Sequence, residues 1–401
     1  MNRLLHNLNI ALLNHSYFSN SHKELPWVPL KDTQYLTNDS KKTLLYHEFL
    51  KILPSGYRYL TQNHLDTLEA MKKVKEILTP DMFNYDDAVN YIINGPASFY
   101  LKKSDKVKYW AMIDLSHLEK YKVRKGVYQY GGKAYFSKNK LELICYEGVD
   151  YRDDPLIERI FFSSLCAQIF AVDHAMSIHF TSSQQGLVYF RNHVKVTDKD
   201  FDIINLMTRN TETINSFMDL VIGKYGYLER VFGFDADVLD EIFNDNYAKG
   251  PMTRDEILGW KESQHYKHMS RYVKSVEKLF SALDVKDVGN KYPRRKLIDF
   301  FCLSSLHHIL GNRNVIFDFT YGQVPSKVYK KKPYEYSIND KLITVAISLL
   351  ISQRIVIFNS EMARNYFQGE RRKIYSDWVE SLAKISDDYF IPGDFEVSVG
   401  S

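Results

Sequence analysis

The stretch 155–180, PLIERIFFSSLCAQIFAVDHAMSIHF, decides the fold of this chain. It predicts a helix with apolar side chains on most faces, which is typical of a helix buried on all sides in a protein core. His174 and His179 lie near its C-terminal end, five positions apart. On a regular α-helix they would point about 140° apart, because each residue turns the chain by about 100°. A π-turn, whose hydrogen bonds run from i to i+5, would bring both imidazoles to one face.

Several other segments show helical periodicity. The further predicted helices are 199–222, 253–283, 295–311, 338–354 and 360–385, the last with Asn359 or Ser360 as its N-cap.

The β signal is confined to two places. Residues 126–146 alternate like hairpins, with Gly131-Gly132 and Ser137–Asn139 at the turns, and residues 313–319 predict a strand or an extended connection. We therefore predict a mainly α fold with a small β element. We expect it to form a single domain over residues 1–401, in which residues 1–105 wrap the core.

Composition restricts the class of protein. A hydrophobic content of 45% and a charged content of 25% are ordinary for a soluble globular chain. The net charge of +4 is spread along the sequence, whereas a nucleic-acid-binding domain is usually more basic and more concentrated in charge. We expect no nucleic-acid partner and, at most, a peripheral association with membranes. The oligomeric state is not indicated.

The cysteines indicate the compartment. Cys145, Cys166 and Cys302 are odd in number, widely spaced and set in apolar runs, as buried free thiols are. The N-terminal segment makes a poor signal peptide, and the uncharged run 342–353 is too short to span a bilayer. We expect a reducing, cytoplasmic location.

A candidate metal site emerges when later residues are added to the histidine pair. His308 and Asn312 are spaced i, i+4, so on a helix they share a face. Imidazole suits iron, zinc, copper and nickel, and a carboxylate such as that of the C-terminal residue Ser401 would compensate charge.

Alternatives to this site stay open. His174 could instead sit beside Asp173 in a polar pocket, and His179 could end the helix near Thr181 and Ser182. The competing histidine candidates are His307, His265 and His268.

The wider sequence resembles the catalytic domain of lipoxygenases. Six segments resemble motifs of that family in the family's order: 110–146, the block DHAMSIH at 173–179, 210–226 with NTETIN, 302–325 with HHILGN, 361–382, and EVSVGS at 396–401. The recognisable catalytic region is therefore 106–401, and the resemblance implies a helical catalytic domain.

The resemblance also implies a ligand set. His174, His179 and His308 match the family's histidine ligands. Asn312 matches its weak amide ligand and Ser401 its terminal carboxylate. His307 is the rival to His308, because aligning on Ser304 would shift the register by one; only His308 keeps the His-x3-Asn pair.

The chain departs from the family pattern at several points. It lacks the amino-terminal β-sandwich, and it ends in Ser401 where the family has Ile or Val; if Gly400-Ser401 were a cloning remnant, Val399 would carry the carboxylate. Met218 falls where the family has a small residue that shapes the oxygen pocket, and Asp219 replaces a neighbouring Arg. Phe170 stands where a Gln often supports the metal, so we place Phe170 and Met218 beside the substrate and oxygen pocket.

The function implied by the resemblance is that of a non-haem iron dioxygenase, with manganese as the alternative metal. In this family a ferric hydroxide removes a hydrogen atom from a polyunsaturated fatty acid or similar polyene, and O2 then adds to give a hydroperoxide. The expected partners are an apolar small molecule and O2. The alternatives are an oxygenase of a specialised biosynthetic intermediate, a degenerate relative that binds lipid or metal, and a purely structural helical protein.

Overall fold

The computed structural model describes residues 85–182, 231–249, 252–288, 293–324 and 367–382, with short pieces at 200, 202–203, 206–207, 228, 326, 364, 384–385 and 389. The side chains of 85–87, 179–182, 236, 308 and 311–321 lie outside this description. The predicted N-terminal wrap up to residue 84, most of the helix 199–222, the helix 338–354 and the N-cap at Asn359 or Ser360 also lie outside it. The single-domain prediction is not tested and stays a prediction.

The small β element is an antiparallel meander. Its five strands lie in sequence order: β1 (Lys102–Lys103), β2 (Ala111–Asp114), β3 (Lys133–Phe136), β4 (Leu141–Tyr146) and β5 (Val149–Tyr151). One face packs on the core through residues such as Ile113 and Ile144, and the other carries a small aromatic cluster with Tyr135. The predicted hairpin corresponds to β3 and β4. The strands β1 and β5 were not predicted because two and three residues are too few to show a pattern, and β2 was also missed.

The central helix begins as predicted and then changes its periodicity. Helix α2 (Pro155–Cys166) starts at the N-cap Asp154, whose side chain accepts a hydrogen bond from the backbone N–H of Leu156, with Pro155 in the first turn. From Ala167 to Ser182 the chain continues as a π-helix. The predicted π-turn is confirmed, and it extends well beyond the histidine pair.

The described part of the chain contains further α-helices. They are α1 (Tyr85–Asn94), α3 (Ala236–Lys249), α4 (Arg254–Leu258), α5 (Gln264–Ala282), α6 (Arg294–Tyr321) and α7 (Gly369–Leu382), and 3-10 helices occur at Pro96–Tyr100 and Ser116–Lys120. The predicted helix 253–283 is divided at Gly259, whose positive φ of 67° ends α4.

One secondary-structure prediction is wrong. Residues 313–319 are not a strand or an extended connection but part of α6, which runs on to Tyr321 and is followed directly by Gly322. The segment is rich in β-branched and aromatic residues, but β-propensity is a weak preference that depends on the surroundings.

The core forms around the π-helix, which packs chiefly against α6 and α3 and continues α2. The segment Pro155–Ile178 is long and apolar enough to cross a membrane by length and composition, but 72% of its most apolar window is buried inside the protein. Such burial is typical of the core helix of a globular fold.

The cysteine prediction is confirmed for two of the three residues. Cys166 and Cys302 are buried thiols outside any disulfide, and Cys145 on β4 is a partly buried thiol outside any disulfide. Burial raises the pKa of the Cys302 thiol well above its ordinary value, which makes it a poor nucleophile.

Candidate metal centre

The π-helix brings residues five positions apart onto one face. Gln168 and Asp173, five residues apart, are both buried on this helix. His174 and His179 are also five residues apart, and they lie in the neighbouring row of residues on the same helix. The helix therefore aligns the backbone positions of the two predicted ligands, although the side chain of His179 is not described.

His174 is held in a defined orientation. Its ring is 8% exposed, and its Nδ1 atom lies 2.8 Å from the backbone oxygen of His307 on α6. A carbonyl oxygen can only accept, so Nδ1 carries the proton and Nε2 carries the lone pair. Metal-ligating histidines almost always donate their other ring N–H to a carboxylate, a backbone carbonyl or water, which fixes their tautomer. This arrangement leaves Nε2 as the nitrogen through which His174 would act in its predicted role as a ligand.

Aromatic rings form one wall beside His174. The Phe170 ring stacks on the imidazole with 4.9 Å between ring centroids and also lies parallel to Phe232 at 6.1 Å. This wall is apolar and would keep water from that side of the imidazole. Phe170 thus lies against the predicted ligand His174, and its place in a substrate or oxygen pocket stays a prediction. Met218 lies outside the described residues.

His307 and His308 lie next to each other on α6, which packs along the π-helix. The His307 ring is fully buried and meets Phe99 edge to face, with 5.9 Å between centroids, while its backbone oxygen accepts the bond from His174. The side chains of His308 and Asn312 and the terminal residue Ser401 are outside the described residues. The choice between His307 and His308 as a ligand therefore stays open.

A buried polar group lies beside the histidine row. The Tyr100 hydroxyl donates to Asp173 Oδ2 over 2.9 Å, and the His117 Nε2 atom lies 2.5 Å from Gln168 Oε1. Burial raises the pKa of Asp173, while the nearby Gln168 amide and the hydrogen bond from Tyr100 act in the opposite direction. Asp173 and His174 have different described partners, so the predicted alternative of a pocket shared by these two residues finds no support in those contacts.

His265 is a structural histidine and not a rival ligand. Its Nε2 atom lies 2.6 Å from the backbone oxygen of Ile257, so Nε2 donates, and its Nδ1 accepts from the Tyr389 hydroxyl 2.5 Å away. Both ring nitrogens are occupied, and burial lowers the pKa of His265 to about 4. His268 stacks on the Tyr389 ring with 4.6 Å between centroids.

Of the predicted ligands, His174 is the one whose side chain the structure describes, and its orientation suits a transition metal. Among the described residues, no three His, Cys, Asp or Glu side chains lie close enough to hold a metal ion. Most of the predicted ligand side chains are outside that part of the chain, so this finding does not decide the site. The tautomer of His174 places the lone pair on Nε2, and neutral imidazole nitrogen suits iron and manganese.

Sequence reasoning did not find the polar partners Tyr100, Gln168 and His117. Tyr100 lies 73 positions before Asp173, and no local pattern relates the two. A signal for Gln168 was present, because Gln168 and Asp173 repeat the spacing of the histidine pair.

Comparison with known proteins identifies the fold. No family model matches the sequence, and no curated protein matches it either. The structure is similar to the manganese lipoxygenase of Gaeumannomyces graminis, with 11% identity, 78% of each chain covered and a TM-score of 0.53. It is also similar to a calcium-dependent 11R-lipoxygenase, with 10% identity, 79% of this chain and 65% of the other covered, and a TM-score of 0.56. Another manganese lipoxygenase has 13% identity, coverages of 80% and 75%, and a TM-score of 0.52. The predicted fold, a lipoxygenase-like helical domain with a small β element, is confirmed.

Proposed function

We propose that this chain, which has the lipoxygenase fold, is a non-haem iron or manganese dioxygenase that oxygenates a polyunsaturated fatty acid or another polyene-type substrate. One observation carries the proposal. His174 is buried on a π-helix, and its Nδ1 is fixed by the His307 carbonyl, so that Nε2 is presented as a ligand.

We assign the metal to the donor set predicted from the sequence. The histidine ligands are His174, His179 and His308, and Asn312 and the carboxylate of Ser401 complete the set. When bound, iron or manganese would supply the one-electron oxidation of the weak C–H bond between two double bonds. Three neutral imidazoles and one carboxylate suit either metal. The manganese lipoxygenases among the structural neighbours support keeping manganese as an alternative to iron.

The residues of this chain prepare the site in two ways. The proton held at Nδ1 of His174 keeps the ring from rotating away from the metal position and raises its basicity as a ligand. The stacked rings of Phe170 and Phe232 exclude water from the same side and offer an apolar surface, as a site for a greasy substrate requires.

The proposal is tested by oxygen consumption. The purified chain, loaded with Fe2+ or Mn2+, is given linoleate, arachidonate and a polyene that is not a fatty acid. We expect O2 uptake with at least one of them, together with the ultraviolet absorbance of a conjugated diene. His174→Ala should abolish the uptake, because the cavity left by the ring supplies no nitrogen ligand.

A matched histidine variant controls for damage to the core. His268→Gln also changes a buried histidine, but one that stacks on Tyr389. It should retain O2 uptake. Uptake that persists in His174→Ala would contradict the proposed centre. Bound metal without uptake on any polyene would instead support a protein that binds metal or lipid without oxidising it.

A further inference from the structure

We propose that Tyr100 is a positioning residue of the metal centre, and that the 3-10 helix Pro96–Tyr100 holds together the two helices that fix the ring of His174. The ring belongs to the π-helix Ala167–Ser182, and the carbonyl that orients it belongs to α6. The effect on metal binding rests on the proposed function, whereas the hold on the two helices does not.

The orientation of His174 depends on how the two helices lie against each other. Its Nδ1 atom is 2.8 Å from the backbone oxygen of His307, which lies on α6. A donor and an acceptor separated by about 3.6 Å no longer form a hydrogen bond. A displacement of α6 by about 1 Å would therefore release the ring. Contacts that keep the two helices in place thus act directly on His174.

Tyr100 contacts the π-helix beside His174. Its hydroxyl donates to Asp173 Oδ2 over 2.9 Å, and Asp173 is the chain neighbour of His174. Asp173 is 7% exposed, so a hydrogen bond lost there is not readily replaced by one to water. This bond anchors the residue next to His174 to a part of the chain 73 positions away.

Phe99, the residue before Tyr100, contacts α6. Its ring is 8% exposed and meets the His307 ring edge to face, with 5.9 Å between centroids and 89° between planes. Edge-to-face packing is a preferred arrangement of aromatic rings. The backbone oxygen of the same His307 accepts the hydrogen bond from His174. Phe99 therefore holds the acceptor side of that bond, and Tyr100 holds its donor side.

The 3-10 form explains why adjacent side chains contact different helices. It has about three residues per turn, so consecutive side chains point about 120° apart. Pro96 fixes the backbone at its start, and Gly95 leaves room, because a Cβ there would lie 2.6 Å from the backbone oxygen of Tyr91. The His265 N–H on α5 donates to Ser98 Oγ over 2.8 Å. The 3-10 helix therefore has a support of its own on a third helix.

These contacts form a closed set. They pass from Tyr100 to Asp173, along the chain to His174, then to His307 and Phe99, and back to Tyr100. Once one contact of such a set is lost, the others hold the ring less well. The effects of losing two of them should therefore not add independently.

The experiment compares two conservative variants in the full chain, freed of metal with a chelator. Tyr100→Phe removes the hydroxyl and keeps the ring, and Phe99→Leu removes the ring and keeps an apolar side chain. Each should weaken Mn2+ binding by about 10-fold, the lower end of the range for residues that orient ligands. The electron paramagnetic resonance spectrum of the bound Mn2+ should also change, because His174 is held less well. The double variant should lose little beyond the larger single loss.

Tyr121→Phe is the matched control. Tyr121 is also buried, and its hydroxyl donates to a carboxylate oxygen, Asp245 Oδ2, over 2.8 Å. Asp245 lies on α3, which is neither of the two helices that fix His174. The variant should lose stability against urea much as Tyr100→Phe does, and it should keep the Mn2+ affinity and the spectrum of the wild type.

A second measurement needs no metal. Amide hydrogen exchange in the metal-free chain is compared for the peptides 155–166 and 167–182. Tyr100→Phe should speed exchange in 167–182 and leave 155–166 unchanged, because Asp173 lies in the second peptide. Tyr121→Phe should change neither peptide.

The outcomes separate this proposal from the proposed function. If the wild type binds Mn2+ and Tyr100→Phe keeps its affinity and spectrum, the positioning role is overturned, and Tyr100→Phe decides this alone if Phe99→Leu does not fold. Losses that multiply in the double variant would overturn the closed set. If the wild type binds neither Mn2+ nor Fe2+, the proposed function fails. Exchange then decides the hold on the π-helix: faster exchange in Tyr100→Phe supports it, and unchanged exchange overturns it.

Discussion

His174 and His265 are both buried, but their hydrogen bonds indicate different roles, that of a proposed ligand for His174 and a structural one for His265. The Nδ1–H of His174 donates to a backbone carbonyl, so Nε2 carries the lone pair that a bond to a metal uses. The Nε2–H of His265 donates to a backbone carbonyl and its Nδ1 accepts from the Tyr389 hydroxyl, so both nitrogens form hydrogen bonds within the core. The spacing in the sequence singles out His174 and His179 but cannot reveal these partners, because they come from distant parts of the chain.

His265 makes a prediction about pH. Burial lowers its pKa to about 4, whereas an unfolded histidine has a pKa of about 6.5. The folded state therefore prefers neutral His265. The stability that neutral His265 gives to the folded state is fully present above about pH 6.5 and is lost as the pH falls toward 4. The free energy of unfolding should therefore fall by about 2 kcal/mol between pH 7 and pH 5.

His265→Gln should remove this part of the pH dependence, since the amide cannot titrate. The measurement is the free energy of unfolding by urea at pH 7, 6 and 5. The difference in the free energy of unfolding between the wild type and His265→Gln should become smaller as the pH falls. Tyr389→Phe is the control, because it removes the hydroxyl and leaves His265 able to titrate. Parallel curves for wild type and His265→Gln would contradict the assignment.

At the scale of single elements, the π-helix is the feature that the sequence predicts best. Two histidines five apart on an apolar helix share a face only in the π register, so the local widening follows from the spacing. Its full extent, Ala167–Ser182, does not follow from the histidines alone. The helix is also joined to a distant part of the chain, because the Tyr100 hydroxyl donates to Asp173 from 73 positions away. The prediction for 313–319 was wrong because the local β-propensity of these residues is weaker than the preference of the long helix α6 to continue through them.

The turn before β3 gives a prediction at this scale. Gly131 has φ of 142°, and a Cβ atom there would come within 2.3 Å of Glu119 Cγ. Gly148 has φ of 77°, but a Cβ there would meet nothing within 4 Å. Gly148→Ala should therefore cost only the backbone strain, about 1 kcal/mol, and Gly131→Ala should cost more than about 2 kcal/mol because strain and collision add.

The free energies of unfolding of these two glycine variants are compared by urea denaturation. Equal losses in the two variants would show that Glu119 moves aside without cost and that the Gly131 turn is less constrained than the contacts indicate.

At the scale of the whole molecule, the comparisons show the fold, and the function is a proposal that rests on the site. The helical architecture is shared with lipoxygenases at an identity of 13% or less, which is too low to transfer an activity. The sequence alone predicts the mainly α class, because long apolar periodicities are strong signals. It does not predict the full meander, since strands such as Lys102–Lys103 and Val149–Tyr151 are too short to show alternation.

The central claim is that the π-helix carries a metal centre, and the metal content of the purified full-length chain tests it most directly. Elemental analysis by mass spectrometry should find one iron or manganese ion per chain in the wild type and in His268→Gln, and almost none in His174→Ala. Folding of each variant is checked by circular dichroism. A wild-type chain that stays metal-free after incubation with Fe2+ and Mn2+, or a folded His174→Ala variant that keeps its full metal content, would contradict the account.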